Sequence, residues 1–183
     1  THDIKALKYH INQFQNQNFP ISTPIFNKLK DDISKKRKVI NSAQILLLEG
    51  WCCGSAPIAN QYLFKNINSL ENTYDKNTNW RKYYNSLLRN EYKSVFSLFE
   101  KKIYIKAPSF KYVLKWRYAQ EKRNASNSNN KNIMNKAKLK EFIQHYEKLT
   151  KWMMLTMPNQ ADILIKINSN QKIKKLLFKF DKF

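Results

Sequence analysis

The stretch Gln44-Ile45-Leu46-Leu47-Leu48-Glu49-Gly50-Trp51-Cys52-Cys53-Gly54 decides how the chain is read. Ile45 to Leu48 is an unbroken apolar run closed by an acid and a glycine. Such a run suits a strand covered on both faces of a parallel sheet, so a strand is expected over Gln44 to Leu48, with a polar turn at Glu49-Gly50.

Two more runs have the same form. Lys102 to Lys106 ends at Ala107-Pro108, and Asp162 to Ile167 ends at Asn168-Ser169. Helical patterns lie between and around them. Ile4, Leu7, Ile11 and Phe14 share one face of a helix over His2 to Phe14, with Asp3 suited to its positive end. Tyr92, Val95, Phe96 and Phe99 share another face, as do Phe110, Val113, Leu114 and Arg117. The longest helix is expected from Lys136 to Met157, with a stripe of Leu139, Phe142, Ile143, Tyr146, Leu149 and Met153. A short extended piece is expected at Ile25-Phe26, and an exposed charged segment from Asp31 to Lys38. The Asn- and Ser-rich residues Asn124 to Asn135 read as a flexible loop. Strands alternating with helices predict an α/β layered fold with a parallel sheet flanked by helices. The 183 residues make one domain, 1–183.

Composition narrows the function. Aromatic residues reach 14%, enough apolar surface to fold and not remain disordered. Lys and Arg number 34 against 13 Asp and Glu, a net charge of +21 that attracts polyanions. The lysines are spread from Lys5 to Lys182, and Asn and Ile are also abundant, which reads as a broad bias and not a nucleic-acid patch. The two cysteines, Cys52 and Cys53, are adjacent and poorly placed for a structural disulfide or zinc, which fits a reducing, cytoplasmic setting. No apolar run nears the roughly 20 residues that cross a bilayer.

In open parallel sheets, ligands bind beyond the carboxyl ends of the strands. That directs attention to Glu49 to Gly54, to Ala107 to Phe110 and to Asn168 onward. A carboxylate at the end of a buried strand can orient Mg²⁺, orient an attacking water or accept a hydroxyl proton; as a solvated turn it would do none of these.

The words around Glu49 add a resemblance. LLLEGWCCGSAP is similar to the EGWCVGxxP segment of the D-glycerate 3-kinase family. Thr1-His2-Asp3 resembles the end of its PGTHD segment, and Pro24 to Lys28 its PxFDK segment. Trp80-Arg81, Tyr84-Asn85 and Leu88 resemble WRxxVNxxL. Ala107 to Phe110 with Val113, Trp116-Arg117 and Gln120-Glu121 is similar to APSFxxVxxWRxxQE. Phe142, Gln144 to Glu147, Leu149-Thr150 and Trp152 resemble FxQHYExLTxW, and Met157-Pro158 with Ala161-Asp162 resembles MPxxAD. The ordered matches cover nearly the whole chain.

The resemblance implies a P-loop kinase related to uridine kinase and phosphoribulokinase, moving the γ-phosphoryl of ATP, with Mg²⁺, to a hydroxyl of D-glycerate. It implies that Glu49 serves magnesium or the acceptor hydroxyl, and that His2 and Asp3 lie near the acceptor, where Asp3 could equally be a helix cap. Asn27, Lys28, Trp51, Arg81 and His145 are candidate acceptor contacts. Arg117 is placed as a lid arginine closing on the ATP phosphates, or else as an i,i+4 partner of Glu121; Gln120 and Glu121 would touch nucleotide or shape the lid. Trp80, Trp116 and Trp152 are read as core.

Two departures stand out. The GxxxxGKS/T loop that cradles phosphates is not among these residues, which hold only two glycines, Gly50 and Gly54. It is expected upstream of Thr1, and the chain alone is expected to be inactive. Asn27 stands where the family pattern has Asp. These departures keep open a kinase-like remnant with a binding or structural role, and the charge keeps open a basic nucleic-acid-binding module.

Overall fold

A carboxylate oxygen of Asp3 accepts the Ala6 N–H at 2.9 Å, capping the first helix in a computed structural model that describes residues 2–27, 32–127 and 134–179. Helix α1 (Ile4–Gln15) follows, with Ile4 and Ile11 buried as its apolar spacing predicts. Strands β1 (Ile21–Asn27) and β2 (Asp32–Ile40) form an antiparallel hairpin. The lysine-rich Asp31 to Lys38 segment, exposed as expected, is therefore largely strand; Asp31 itself lies outside the described residues.

Short helices then succeed one another: α2 (Asn60–Leu63), α3 (Ser69–Tyr74) and α4 (Asn79–Leu87). A π-turn, Leu88–Tyr92, separates α4 from α5 (Lys93–Phe96). Strand β3 (Ile103–Lys106), helices α6 (Lys111–Asn127) and α7 (Lys136–Gln160), and strand β4 (Ile163–Ile167) complete a parallel β-helix-helix-β unit. Strand β5 (Ile173–Phe178) returns antiparallel to β4. The expected loop over Asn124 to Asn135 is helical through Asn127, its middle lies outside the described residues, and Asn135 caps α7 through the Lys138 N–H.

Two expectations fail here. The sheet is mixed and not parallel: its order is β3-β4-β5, and only β3 and β4 run together. Residues 45–50 form no strand. Ile45 is 84% and Leu47 80% exposed. An apolar run becomes a strand only when a neighbour takes its main-chain hydrogen bonds, and among the described residues none lies beside it.

The core gathers Ile4 and Ile11 of α1, Ile58, Leu88, Val95 and Phe96, with Leu149, Met153 and Met157 along α7. Side chains alternate across a strand: Tyr104 packs against this core, and Leu164, its partner in the β3–β4 register, is buried on the same face of the sheet. Ile103, Ile105, Leu176 and Phe178 line the opposite face and are exposed. Trp80, expected in the core, is also exposed and lies against Tyr83.

Candidate functional site

A buried ion cluster organises the middle of the chain. Arg81, only 2% exposed, donates from Nε to Asp75 at 2.7 Å and from Nη1 to Glu71 at 3.3 Å, and also reaches the main-chain oxygens of Leu63 and Asp75. Lys148 of α7 meets the same Glu71 oxygen at 3.3 Å and donates to the Tyr62 and Lys65 carbonyls. Burial pushes the Lys148 ammonium down, against the pull of Glu71. Asn85 clamps the main chain of Ile58, accepting its N–H at 2.7 Å and donating to its oxygen at 3.0 Å. Arg81 and Asn85 of the WRxxVNxxL-like segment are thus internal fasteners. The guanidinium fork of Arg81 is spent on protein oxygens and does not face an acceptor.

The segment after Leu48 is fastened differently. The Trp51 indole N–H donates to Thr150 Oγ1 at 2.8 Å, and its ring meets Tyr146 edge-on with centroids 4.9 Å apart. Gly54 holds a φ of +76°, a conformation open to glycine at little cost, and a Cβ there would stand 3.4 Å from Met157. This turn leaves Glu49 exposed and brings Cys52 and Cys53 toward Tyr92. Burial, then Cys52, then the Glu49 carboxylate push the Cys53 thiol up to about 11, and burial raises Cys52 as well. Both thiols are thus less ionised at neutral pH than an ordinary cysteine, and so weaker nucleophiles.

Tyr92 joins the start of the chain to this region. Its hydroxyl lies 2.8 Å from His2 Nδ1, and the rings meet edge-on at 6.0 Å. Asp3 is one residue on, with its carboxylate used as the α1 cap. The structure therefore brings His2, Glu49 and the Trp51-Cys53 turn to one side of the core, with Tyr92 between them. Periodicity placed Tyr92 on a helix face; its role here depends on the π-turn, which carries no simple sequence signal. Such turns recur at functional sites.

A second site lies beyond the carboxyl ends of β3 and β4. A cleft of about 380 Å³ is lined by Ala107, Pro108, Tyr112, Asn168 and Ser169, with Lys106, Lys166 and Lys174 around it. Trp116 braces two of its lining residues, stacked on Tyr112 and donating its indole N–H to the Ser169 carbonyl at 2.9 Å. Lys106 and Lys166 stand opposite each other in the β3–β4 register. Two like charges so placed repel, and an anion between them would relieve that cost. The start of α6 at Lys111 abuts the cleft and adds its positive end.

Arg117 follows Trp116 on α6. It is paired with Gln120 at 2.6 Å and with Glu121 at 2.9 Å, so the three nucleotide candidates form one cluster. His145 is exposed on α7, its ring edge toward Phe142. Asn27 closes the hairpin opposite Asp32, and Lys28 lies outside the described residues. Among the described residues no three His, Cys, Asp or Glu side chains converge on a point. A single exposed carboxylate such as Glu49 still suits Mg²⁺, which is commonly held by one or two carboxylates together with substrate phosphates. No described helix is long and apolar enough to cross a membrane.

No family model matches the sequence, and no curated protein matches it. Solved structures do. D-glycerate 3-kinase from Cryptococcus neoformans var. grubii superposes with a TM-score of 0.73 at 20% identity, covering 98% of this chain and 68% of its own. The YGR205w protein superposes with a TM-score of 0.64 at 22% identity, again over 98% of this chain and 65% of its own length. The chain thus carries, over nearly all its residues, a mixed α/β fold similar to that of a D-glycerate 3-kinase.

Proposed function

We propose that this chain is the acceptor- and lid-bearing part of an ATP-dependent small-molecule kinase whose acceptor is D-glycerate or a similar hydroxy acid. The observation that carries this reading is the similarity to a D-glycerate 3-kinase across 98% of the chain. The placement of His2, Glu49 and Trp51 on one side of the core agrees with it.

The proposed chemistry is positioning and charge neutralisation, which phosphoryl transfer requires more than covalent catalysis. Glu49 is exposed and free to accept a hydroxyl proton or to bind Mg²⁺. His2 would donate to the anionic acceptor, and Trp51, held by Thr150, would wall the pocket. The cleft past β3 and β4 supplies cationic lysines and an aromatic shelf, features suited to a nucleotide. Arg117 would exchange its partners Gln120 and Glu121 for phosphate oxygens. Arg117 is partly exposed but Glu121 is buried, so the incoming phosphate would have to offset the loss of a partly buried pair. Glu49 would help hold Mg²⁺, which would supply positive charge against the charge developing on the phosphates.

The phosphate-cradling glycine loop is not among these residues, and the chain alone is expected to bind ligand without turnover. Asn27 in place of an acid favours a second reading, a kinase-like binding protein without catalysis. One experiment separates the readings. The chain, alone and joined to a strand, GxxxxGKS/T loop and helix, is assayed for ATP- and D-glycerate-dependent ADP release. Turnover in the joined form alone supports the kinase. Binding of neither ATP nor D-glycerate by calorimetry in either form removes it.

A further inference from the structure

The His2–Tyr92 contact spans 90 residues of sequence and fixes a histidine whose ring would otherwise turn freely. Tyr92 is delivered by the π-turn Leu88–Tyr92, the one π-helical segment among the described residues. The turn inserts a wider loop of main chain between α4 and α5, which changes the direction in which Tyr92 leaves the helix.

We infer that Tyr92 is a positioning residue that sets the tautomer of His2, leaving its Nε2–H as a fixed donor for the anionic acceptor. The inference rests on the proposed acceptor role of His2. The chemistry of the pair favours one tautomer. A phenol O–H is a better donor than its ring-conjugated oxygen is an acceptor, and the bare nitrogen of a neutral imidazole is a strong acceptor. The Tyr92 hydroxyl therefore donates to His2 Nδ1, 2.8 Å away. A neutral imidazole that accepts at Nδ1 must carry its proton on Nε2. A hydroxy acid carries a carboxylate, and an N–H donor held in place binds it at lower entropic cost than a rotating ring.

Long-range proton–nitrogen correlation spectra of the three histidines, with His2 assigned by its loss in His2→Ala, read the tautomer directly. At a pH where the ring is neutral, His2 is expected to be the Nε2–H form in the wild type. In Tyr92→Phe its two ring nitrogens should move toward averaged values while the other two histidines stay put. D-glycerate affinity by calorimetry is expected to fall about tenfold in Tyr92→Phe and to fall no further when Tyr92→Phe is added to His2→Ala. A merely structural tyrosine would weaken binding in both backgrounds. An unchanged tautomer in Tyr92→Phe, an Nδ1–H form in the wild type, or additive losses would overturn the inference. The Nε2–H form in the wild type and its loss in Tyr92→Phe, together with no D-glycerate binding by the wild type, would support the pairing and sink the proposed acceptor.

Discussion

The Trp51 indole N–H donates to Thr150 Oγ1 across 99 residues of sequence, so the turn that follows Glu49 is pinned to helix α7 by a single 2.8 Å bond. The ring's edge-on contact with Tyr146 adds a second point on the same helix. Trp51→Phe keeps an aromatic ring, though a smaller one, and deletes the donor. Stability in chemical denaturation should drop by about 1 kcal/mol, the net worth of one such bond. Amide exchange at 49–54 should rise more than elsewhere. Uniform exchange with unchanged stability would show that the pin is idle.

Arg81 is the linchpin of the buried ion cluster, and its removal strands the Asp75 carboxylate and leaves Glu71 to Lys148. Arg81→Ala should cost about 3–5 kcal/mol, because Asp75 would be left buried without a cation and Glu71 with Lys148 alone. Denaturant titration measures this. A loss below ~1 kcal/mol would mean that Lys148 alone neutralises the cluster.

Acid should attack the fold through two carboxylates. The Lys102 N–H, at 2.7 Å, chiefly holds the Asp162 carboxyl below its ordinary 3.8, helped by Lys101. For Asp75, burial alone would raise the value, but Arg81 and the N–H groups of Trp80 and Arg81 outweigh it and bring it below 3.8. A carboxyl whose folded value is depressed contributes stability that is present above its unfolded value and lost as pH falls through the folded one. Stability should therefore be flat above about pH 5 and fall below 3.8. Asp162→Asn should shallow that acid limb in pH-dependent thermal melts, and an unaltered limb would clear Asp162 of the effect.

Cys53 should resist alkylation. With the thiol pushed up to about 11 against an ordinary 9.0, its thiolate fraction at neutral pH is lower by about a hundredfold. Iodoacetamide labelling followed by mass spectrometry should show Cys53 lagging a free thiol by about that factor. Glu49→Gln removes one of the raising charges, after burial and Cys52, and should quicken labelling. Fast labelling in the wild type would place the thiol in water.

The capping bond of Asp3 makes a further measurable contribution. Asp3→Ala should lower stability by about 1 kcal/mol while leaving the far end of α1 intact by amide exchange. If Asp3→Ala instead abolishes D-glycerate binding with unchanged stability, the carboxylate serves the acceptor and not the helix.

Local patterns were enough for much of this fold. The 3.6-residue spacing of Ile4, Leu7 and Ile11, and of Leu139, Ile143 and Leu149, marked α1 and α7, because a helix satisfies its own main chain and needs only one face covered. The apolar runs before Ala107 and Asn168 marked β3 and β4. The ordered motifs pointed to the kinase fold that the solved structures share. Strands depend on partners that may not be read from the strand itself. Ile45 to Leu48 has the composition of a strand and no described ladder to join, while the lysines of β2 and β5 hid strands whose partners supply the hydrogen bonds. Tertiary structure also decided which charged groups are internal. Arg81 and Trp80 are neighbours in one motif, yet Arg81 is buried because Asp75 and Glu71 converge on it, and Trp80 is left in solvent. The sequence by itself determined the residue types that can carry the chemistry, Glu49, His2 and Arg117 among them. Only the folded chain decided which of them face solvent and which partners orient them, because the Tyr92–His2 and Trp51–Thr150 bonds join residues that nothing in the linear order brings together.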